Sequence, residues 1–126
     1  MFYFTSIADY HSQLKNEQTS CVNAVQHYLQ RIQAAQHLNA FIEVYADEAL
    51  QRAKALDEKR KAGKSIGLLH GVVIGLKDVI CYKDHEISAA SNILKNFTSI
   101  YSATAVENLL AQDAIIIGNL NCDEFA

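Results

Sequence analysis

Two short runs of consecutive apolar residues constrain the fold of this chain more than any other feature. They read "GVVIGL" at 71–76 and "AIIIGNL" at 114–120. A strand that is buried on both faces is apolar at successive positions, whereas a half-buried strand alternates between apolar and polar residues. Between the runs, "SATAVENLLAQ" places Val106, Leu109 and Leu110 at helical spacing. The order of strand, helix and strand predicts a βαβ unit, in which a right-handed crossover joins two parallel strands.

The residues that precede these runs are predicted to be mainly helical. Apolar side chains recur at helical spacing over 7–14 and 22–32, and residues 47–61 carry acidic groups at their start and basic groups at their end. That order of charges matches the helix dipole, and Gly63 is suited to end the helix. The predicted N-cap residues are Thr5 or Ser6, Thr19 or Ser20 and, for the helix between the two apolar runs, Ser102 or Thr104.

The length and composition favour one globular domain. Of the 126 residues, half are hydrophobic and a fifth are charged, which favours a globular class over a disordered chain. We expect a single domain with a helical region at 1–65 and the start of a sheet at 66–126. Within the helical region, "LNAFIEVY" is rich in β-branched and aromatic side chains, which predicts a short strand or an extended link around residues 41–44.

Charge and hydropathy exclude several functional classes. The net charge of −3 argues against direct binding of nucleic acid. No apolar run is long enough to span a bilayer. The first residues lack the basic and apolar regions of a signal peptide, so we expect none. The cysteines are few and odd in number, which is typical of free thiols in the cytoplasm; they are Cys21, Cys81 and Cys122.

Two short patterns suggest phosphate or metal binding, and each lacks residues that such a site requires. "AGKSIG" has Glu58 where a phosphate-binding loop needs its first glycine, and it follows a helix where that loop would follow a strand. Cys81 and His85 lack the second Cys/His pair that a zinc site needs. We therefore expect this chain to bind no cofactor and no metal.

Lys77 interrupts the first apolar run at its carboxyl end. Lysine is seldom buried without a partner or a task, and ligands of open parallel sheets bind beyond the carboxyl ends of the strands. The residues alone leave two interpretations open, a functional amine or a side chain that reaches solvent from a strand end. Parallel strands would bring to the same edge the polar residues that follow the second run, namely Asn119, Asn121, Asp123 and Glu124.

The acidic residues near this edge leave a further choice open. Asp78, Asp123 and Glu124 have the chemistry of general acids, general bases or magnesium ligands, and phosphoryl transfer with Asp78 and Asp123 is one such alternative. The other interpretation places Asp123 and Glu124 in the first turn of a following helix, where carboxylates are favoured by the dipole. His70, just before the first run, has no evident partner in the sequence.

Two longer stretches carry a resemblance to a known family. "GLLHGVVIGLKDVICYK" and "ATAVENLLAQDAIIIGNLNCDEFA" together resemble the amidase signature family, and "TSCVNAVQHYLQRI" and "LNAFIEVYADEAL" resemble its amino-terminal region. The resemblance spans nearly the whole chain. Within the family it is strongest to the A subunits of glutamyl-tRNA(Gln) amidotransferases. Val73 is a departure, because the family usually has proline at that position.

The resemblance implies a large mixed sheet between helices and a catalytic Lys–cis-Ser–Ser group in which Lys77 matches the lysine. Lys77 would take a proton from the bridging serine, so that the nucleophilic serine attacks the amide of glutamine, forms an acyl-enzyme and releases ammonia. A lysine amine acts as a base near neutral pH when burial lowers its pKa. We expect the strand end to bury Lys77, and Asp78 to point to the opposite face of the strand.

By the same resemblance, both serines lie beyond the "DEFA" at which the sequence ends. We therefore expect the 126 residues to be the amino-terminal portion of a longer enzyme and to be inactive alone. The serines within the chain match neither family position; they include Ser65, Ser88, Ser91, Ser99 and Ser102.

The resemblance also implies partners. Subunits of B and C type would accept the ammonia and make most contacts with tRNA, a partner subunit would use ATP and magnesium, and glutamine would be the substrate. Two alternatives stay open. One is a stand-alone amidase of the same family, whose substrate-selecting residues would also lie beyond residue 126. The other is a non-catalytic interaction domain whose helical region docks on a partner.

Overall fold

The computed structural model describes residues 2–126. Two 3₁₀ turns lie at Gln36–Leu38 and Asn92–Leu94. Along this part of the chain the helices and strands are α1 (Ile7–Lys15), α2 (Cys21–Ala34), β1 (Phe41–Val44), α3 (Ala46–Lys61), β2 (Val73–Lys77), α4 (Thr104–Ala111) and β3 (Ile115–Leu120). The predicted order of helices followed by a βαβ unit is confirmed.

The strands of the described region form one mixed sheet in the order β1–β3–β2. The apolar strands β2 and β3 are parallel, with Val73 opposite Ile115 and Lys77 opposite Leu120. β1 pairs with β3 in the antiparallel direction, as its apolar and β-branched residues allow. The predicted boundary between a helical region at 1–65 and a sheet that starts at 66 is therefore wrong, because β1 already belongs to the sheet.

Two helices begin with the serine caps that the sequence predicts. The Ser6 hydroxyl accepts a hydrogen bond of 3.1 Å from the backbone N–H of Asp9, at the start of α1. The Ser20 hydroxyl accepts one of 3.0 Å from the N–H of Asn23 in α2. Each contact satisfies one of the backbone donors that a helix leaves free in its first turn.

The cap predicted for α4 is wrong. α4 follows Ala103, and no side chain accepts a hydrogen bond from its first turn. The hydroxyl of Ser102 instead accepts a hydrogen bond of 3.0 Å from the backbone N–H of Lys83, in the connection that leaves β2. The Ser102 hydroxyl, which the local pattern predicts as a cap, therefore makes a long-range contact instead.

α3 ends as its charges and Gly63 predict. Acidic residues lie in its first turn and basic ones in its last turn, which complements the helix dipole at both ends. Gly63 follows the cap residue Ala62 with a φ of 67°. This left-handed conformation is open to glycine without the steric cost of a Cβ atom.

Apolar side chains cover both faces of the sheet. On one face, Ile115 and Ile117 of β3 pack with buried residues of α1, α2 and α3, and Val73 of β2 packs against the same cluster. On the other face, Leu76 and Ile116 pack with a smaller cluster that includes residues of α4. Because both faces of β3 are covered, its residues are buried at successive positions, as the apolar run predicts.

The helices of the described region are short relative to a bilayer. The longest, α3, has 16 residues, and more than half of them are charged. Within residues 2–126, no helix combines the length and the apolar character that a membrane span requires.

Candidate functional site

Lys77 lies where the sequence places it, at the carboxyl end of β2 next to β3. Side chains alternate along a strand, so Lys77 faces the same side of the sheet as Val73 and Gly75. Val73 packs against buried residues of α1, α2 and α3 on that side, whereas the Lys77 side chain is exposed. The expected burial of Lys77 is therefore not found, because the helices of the described region cover the beginning of this face and leave the end of β2 in solvent.

The side chain of Asp78 turns to the other face, as strand alternation predicts, and is buried. Its carboxylate accepts four hydrogen bonds. The backbone N–H and the hydroxyl of Ser88 donate at 3.1 and 2.5 Å, and the N–H of Ala90 donates at 3.2 Å. The side-chain amide of Asn119 donates at 2.6 Å. Asp78 thus joins the end of β2 both to the following connection and to β3.

These contacts keep the carboxylate charged. Burial raises the pKa of the Asp78 carboxyl, but the hydrogen bonds from Ser88, Asn119 and Ala90 outweigh burial, so that the pKa lies below its usual value. The negative charge of Asp78 and the amine of Lys77 therefore occupy opposite faces of one strand end.

The other polar residues predicted at this edge do not join Asp78. The Asn121 side chain donates a hydrogen bond of 3.3 Å to the backbone carbonyl of Asn39. Glu124 accepts a hydrogen bond of 2.7 Å from the hydroxyl of Ser91. Asp123 is exposed within the described residues. Of the four predicted residues, the structure brings Asn119 alone to Asp78.

The long connection after β2 is held to α3 by an aromatic and acidic contact that the sequence analysis missed. The hydroxyl of Tyr82 donates to Glu48 at 2.5 Å, and a ring nitrogen of His85 lies 2.8 Å from the other oxygen of the same carboxylate. The Tyr82 and His85 rings are stacked, with centroids 4.0 Å apart. Burial and the Glu48 carboxylate raise the pKa of Tyr82.

His70 has a partner that its sequence neighbours do not indicate. It is fully buried, and its Nδ1 lies 3.1 Å from Oδ2 of Asp113. The same carboxylate accepts hydrogen bonds from Lys59 and from the backbone N–H of Gly67. No hydrogen-bond partner for His70 Nε2 occurs within residues 2–126. This cluster ties α3, the start of β2 and the turn before β3 together.

The serine hydroxyls of the connection are engaged away from Lys77. Ser88 donates to Asp78, Ser91 to Glu124 and Ser99 to the carbonyl of Tyr101 at 2.6 Å. Among residues 2–126, no group of three or more His, Cys, Asp or Glu side chains is arranged to hold a metal ion. Within the part of the chain that the structure describes, the hydroxyls of Ser88, Ser91 and Ser99 therefore hydrogen-bond to groups other than Lys77.

Comparison with known proteins defines the class of protein to which this fold belongs. The chain belongs to the amidase family, whose model matches residues 23–126. It is 44% identical over 124 residues to the A subunit of glutamyl-tRNA(Gln) amidotransferase from Chlorobium phaeobacteroides (strain BS1), and 41% identical over 123 residues to that from Prosthecochloris aestuarii. Each comparison covers 98% of this chain and 26% of the relative. The chain thus spans about a quarter of the length of these relatives.

Solved structures agree with this assignment. The native peptide amidase of Stenotrophomonas maltophilia matches with a TM-score of 0.89 and 33% identity, over 97% of this chain and 26% of that chain. A bacterial aryl acylamidase of the amidase signature family matches with a TM-score of 0.87 over 98% of this chain and 26% of that chain, and at 23% identity it supports the fold alone. The predicted α/β class within the amidase signature fold is confirmed.

Proposed function

We propose that residues 1–126 are the amino-terminal portion of a glutamine-hydrolysing subunit that supplies ammonia for the conversion of Glu-tRNA(Gln) to Gln-tRNA(Gln). The observation that carries the proposal is the identity to the amidotransferase relatives along nearly the whole chain, which exceeds the identity to the peptide amidase. The position of Lys77 at the carboxyl end of a parallel strand supports the same proposal, because this is where α/β folds place their ligands.

In the proposed reaction, Lys77 is the base of a Lys–cis-Ser–Ser group. Its neutral amine accepts a proton from the bridging serine, which in turn accepts the proton of the nucleophilic serine. The oxygen of the nucleophilic serine forms a bond to the side-chain amide carbon of glutamine. The C–N bond then breaks as the nitrogen takes the proton back from Lys77 through the bridging serine and leaves as ammonia. Water then hydrolyses the acyl-enzyme to glutamate.

The proposal requires that Lys77 be covered in the complete protein. An exposed lysine is protonated near neutral pH, and burial is what gives a lysine amine the character of a base. Lys77 is exposed within residues 2–126. We infer that the cover and both serines come from the part of the protein that corresponds to the remaining length of the amidotransferase relatives.

The proposal extends to partners and cofactors. Subunits of B and C type receive the ammonia and contact most of the tRNA, and the partner that activates Glu-tRNA(Gln) uses ATP and magnesium. This chain contributes neither nucleotide nor metal ligands in the proposal. The reaction takes place in the cytoplasm, where the three cysteines stay reduced.

The test is ammonia release by the full-length protein, with and without B-type and C-type partners, from glutamine and from a peptide amide. We expect release from glutamine that is lost in the Lys77→Ala variant. Release from the peptide amide and none from glutamine would contradict the amidotransferase role and favour the stand-alone amidase. Absence of release from both amides, with stable binding to a partner, would favour the interaction domain.

A further inference from the structure

We propose that Asp78 is a positioning residue for Lys77, a role that rests on the function proposed above. The two residues are adjacent and point to opposite faces of the strand end. Lys77 is exposed, whereas Asp78 is 1% exposed. The contacts of Asp78 therefore hold in place the backbone that carries the Lys77 side chain.

Asp78 is held at its backbone as well as at its side chain. Its N–H donates to the carbonyl of Leu120 at 3.0 Å, and its carbonyl accepts from the N–H of Ala89 at 2.9 Å. Together with the four hydrogen bonds to the carboxylate, these contacts tie residue 78 to β3 and to residues 88–90. Lys77 is opposite Leu120 in the parallel ladder. A shift of Asp78 would therefore move the Lys77 backbone relative to β3.

The groups around the side chain of residue 78 require an acceptor with the chemistry of a carboxylate. All four groups that face the Asp78 oxygens are donors, from Ser88, Ala90 and Asn119. A neutral asparagine would present two donors of its own and leave some of these groups without an acceptor. Within the described residues no cationic side chain forms an ion pair with Asp78, so neutral donors alone compensate this buried charge. Burial of a charge is costly unless it is hydrogen-bonded in this way.

The role has a kinetic signature that stability alone does not produce. Displacement of a catalytic group by about 1 Å can cost on the order of 100-fold in rate. We expect Asp78→Asn in the full-length protein to lower kcat for ammonia release from glutamine by about 10- to 100-fold per folded molecule, while KM stays near the wild-type value. If Asp78 only stabilised the fold, its loss would lower the melting temperature and leave kcat per folded molecule unchanged.

Two further variants make the test decisive. Glu86→Gln makes the same chemical change at an exposed residue of the same connection and should leave kcat unchanged. Ser88→Ala removes the one hydroxyl contact of 2.5 Å and should lower kcat several-fold even if Asp78→Asn does not fold. Wild-type kcat in both Asp78→Asn and Ser88→Ala, with Lys77→Ala inactive, would overturn the positioning role and leave the proposed function intact. Full activity of Lys77→Ala would overturn the proposed function and this role with it.

Discussion

The ammonium of Lys59 lies 2.7 Å from Oδ1 and 2.8 Å from Oδ2 of Asp113. Lys59 is in the last turn of α3, and Asp113 is in the turn between α4 and β3. The contact therefore joins the longest helix to the amino-terminal end of the central strand, opposite the end at which Lys77 is found. Burial raises the pKa of the Asp113 carboxyl, but Lys59, the N–H of Gly67 and His70 outweigh burial and lower this pKa to about 2.

This lowered pKa predicts a loss of stability in acid. Because the folded-state pKa of Asp113 lies below its ordinary value of 3.8, its contribution is present above about pH 4 and is lost as the pH falls toward 2. The shift corresponds to about 2 kcal/mol. We expect Asp113→Asn to lower the free energy of unfolding at about pH 6 by this amount and to reduce the further loss between about pH 6 and pH 2.5.

Urea unfolding of the wild-type chain and the variant at the two pH values measures both effects. Asp84→Asn is a matched control, because Asp84 is an exposed aspartate that shares the left-handed conformation of Asp113, which asparagine tolerates. An equal acid loss in the wild-type chain and in Asp113→Asn would show that other groups cause the pH dependence.

Gly118 lets β1 approach β3. A Cβ atom at Gly118 would lie 2.5 Å from the backbone oxygen of Glu43 and 2.9 Å from the ring of Phe41. Backbone cannot rotate away as a side chain can, so Gly118→Ala forces the strands apart. We expect Gly118→Ala to lower the free energy of unfolding by about 1–3 kcal/mol or more, as measured by urea denaturation.

Gly75 supplies the control for this prediction. A Cβ atom there would lie 3.0 Å from the end of the Leu120 side chain, which can change rotamer. We expect Gly75→Ala to cost less than about 1 kcal/mol. Equal losses in the two variants would mean that the backbone contact between Gly118 and Glu43 is not what limits the packing of β1.

The local patterns of the sequence predicted the elements that depend on local physics. Consecutive apolar residues predicted β2 and β3 because burial on both faces acts on every position of a strand. Ser6 and Ser20 were predictable as caps because a cap contact spans three residues. The position of Lys77 at the edge formed by the carboxyl ends of β2 and β3 follows from strand direction alone.

Contacts between distant residues escaped the same patterns. Strand direction predicts Asn119 at the same edge as Lys77, but not its hydrogen bond to Asp78, 41 positions away. Nothing near His70 in the sequence indicates its contact with Asp113, 43 positions away. No local periodicity encodes such pairs.

The local pattern predicts a cap at Ser102 or Thr104. In the fold, the Ser102 hydroxyl instead accepts a hydrogen bond from the backbone N–H of Lys83, 19 positions away. The residues leave open whether Lys77 is buried or reaches solvent, because the apolar run predicts burial of the strand and does not reveal which face the helices leave uncovered.

The 126-residue chain should not hydrolyse amides on its own. The hydroxyls of Ser88, Ser91 and Ser99 are hydrogen-bonded to other groups, and a lysine without a nucleophile cannot form an acyl-enzyme. We expect the purified chain to release ammonia from glutamine no faster than its Lys77→Ala variant. Faster release by the wild-type chain would mean that a nucleophile lies within these residues.

The measurement that tests the proposed role of Lys77 most directly is the turnover of glutamine by the full-length Lys77→Arg variant in the presence of the proposed B-type and C-type subunits. Arginine keeps the positive charge of lysine and has at least its length, but its guanidinium stays protonated and cannot accept a proton. We predict a loss of kcat of about 10²- to 10⁴-fold, the range for removal of a general base, and a similar loss in Lys77→Ala. A near-normal rate in Lys77→Arg would contradict the account, because Lys77 would then supply charge and not proton transfer.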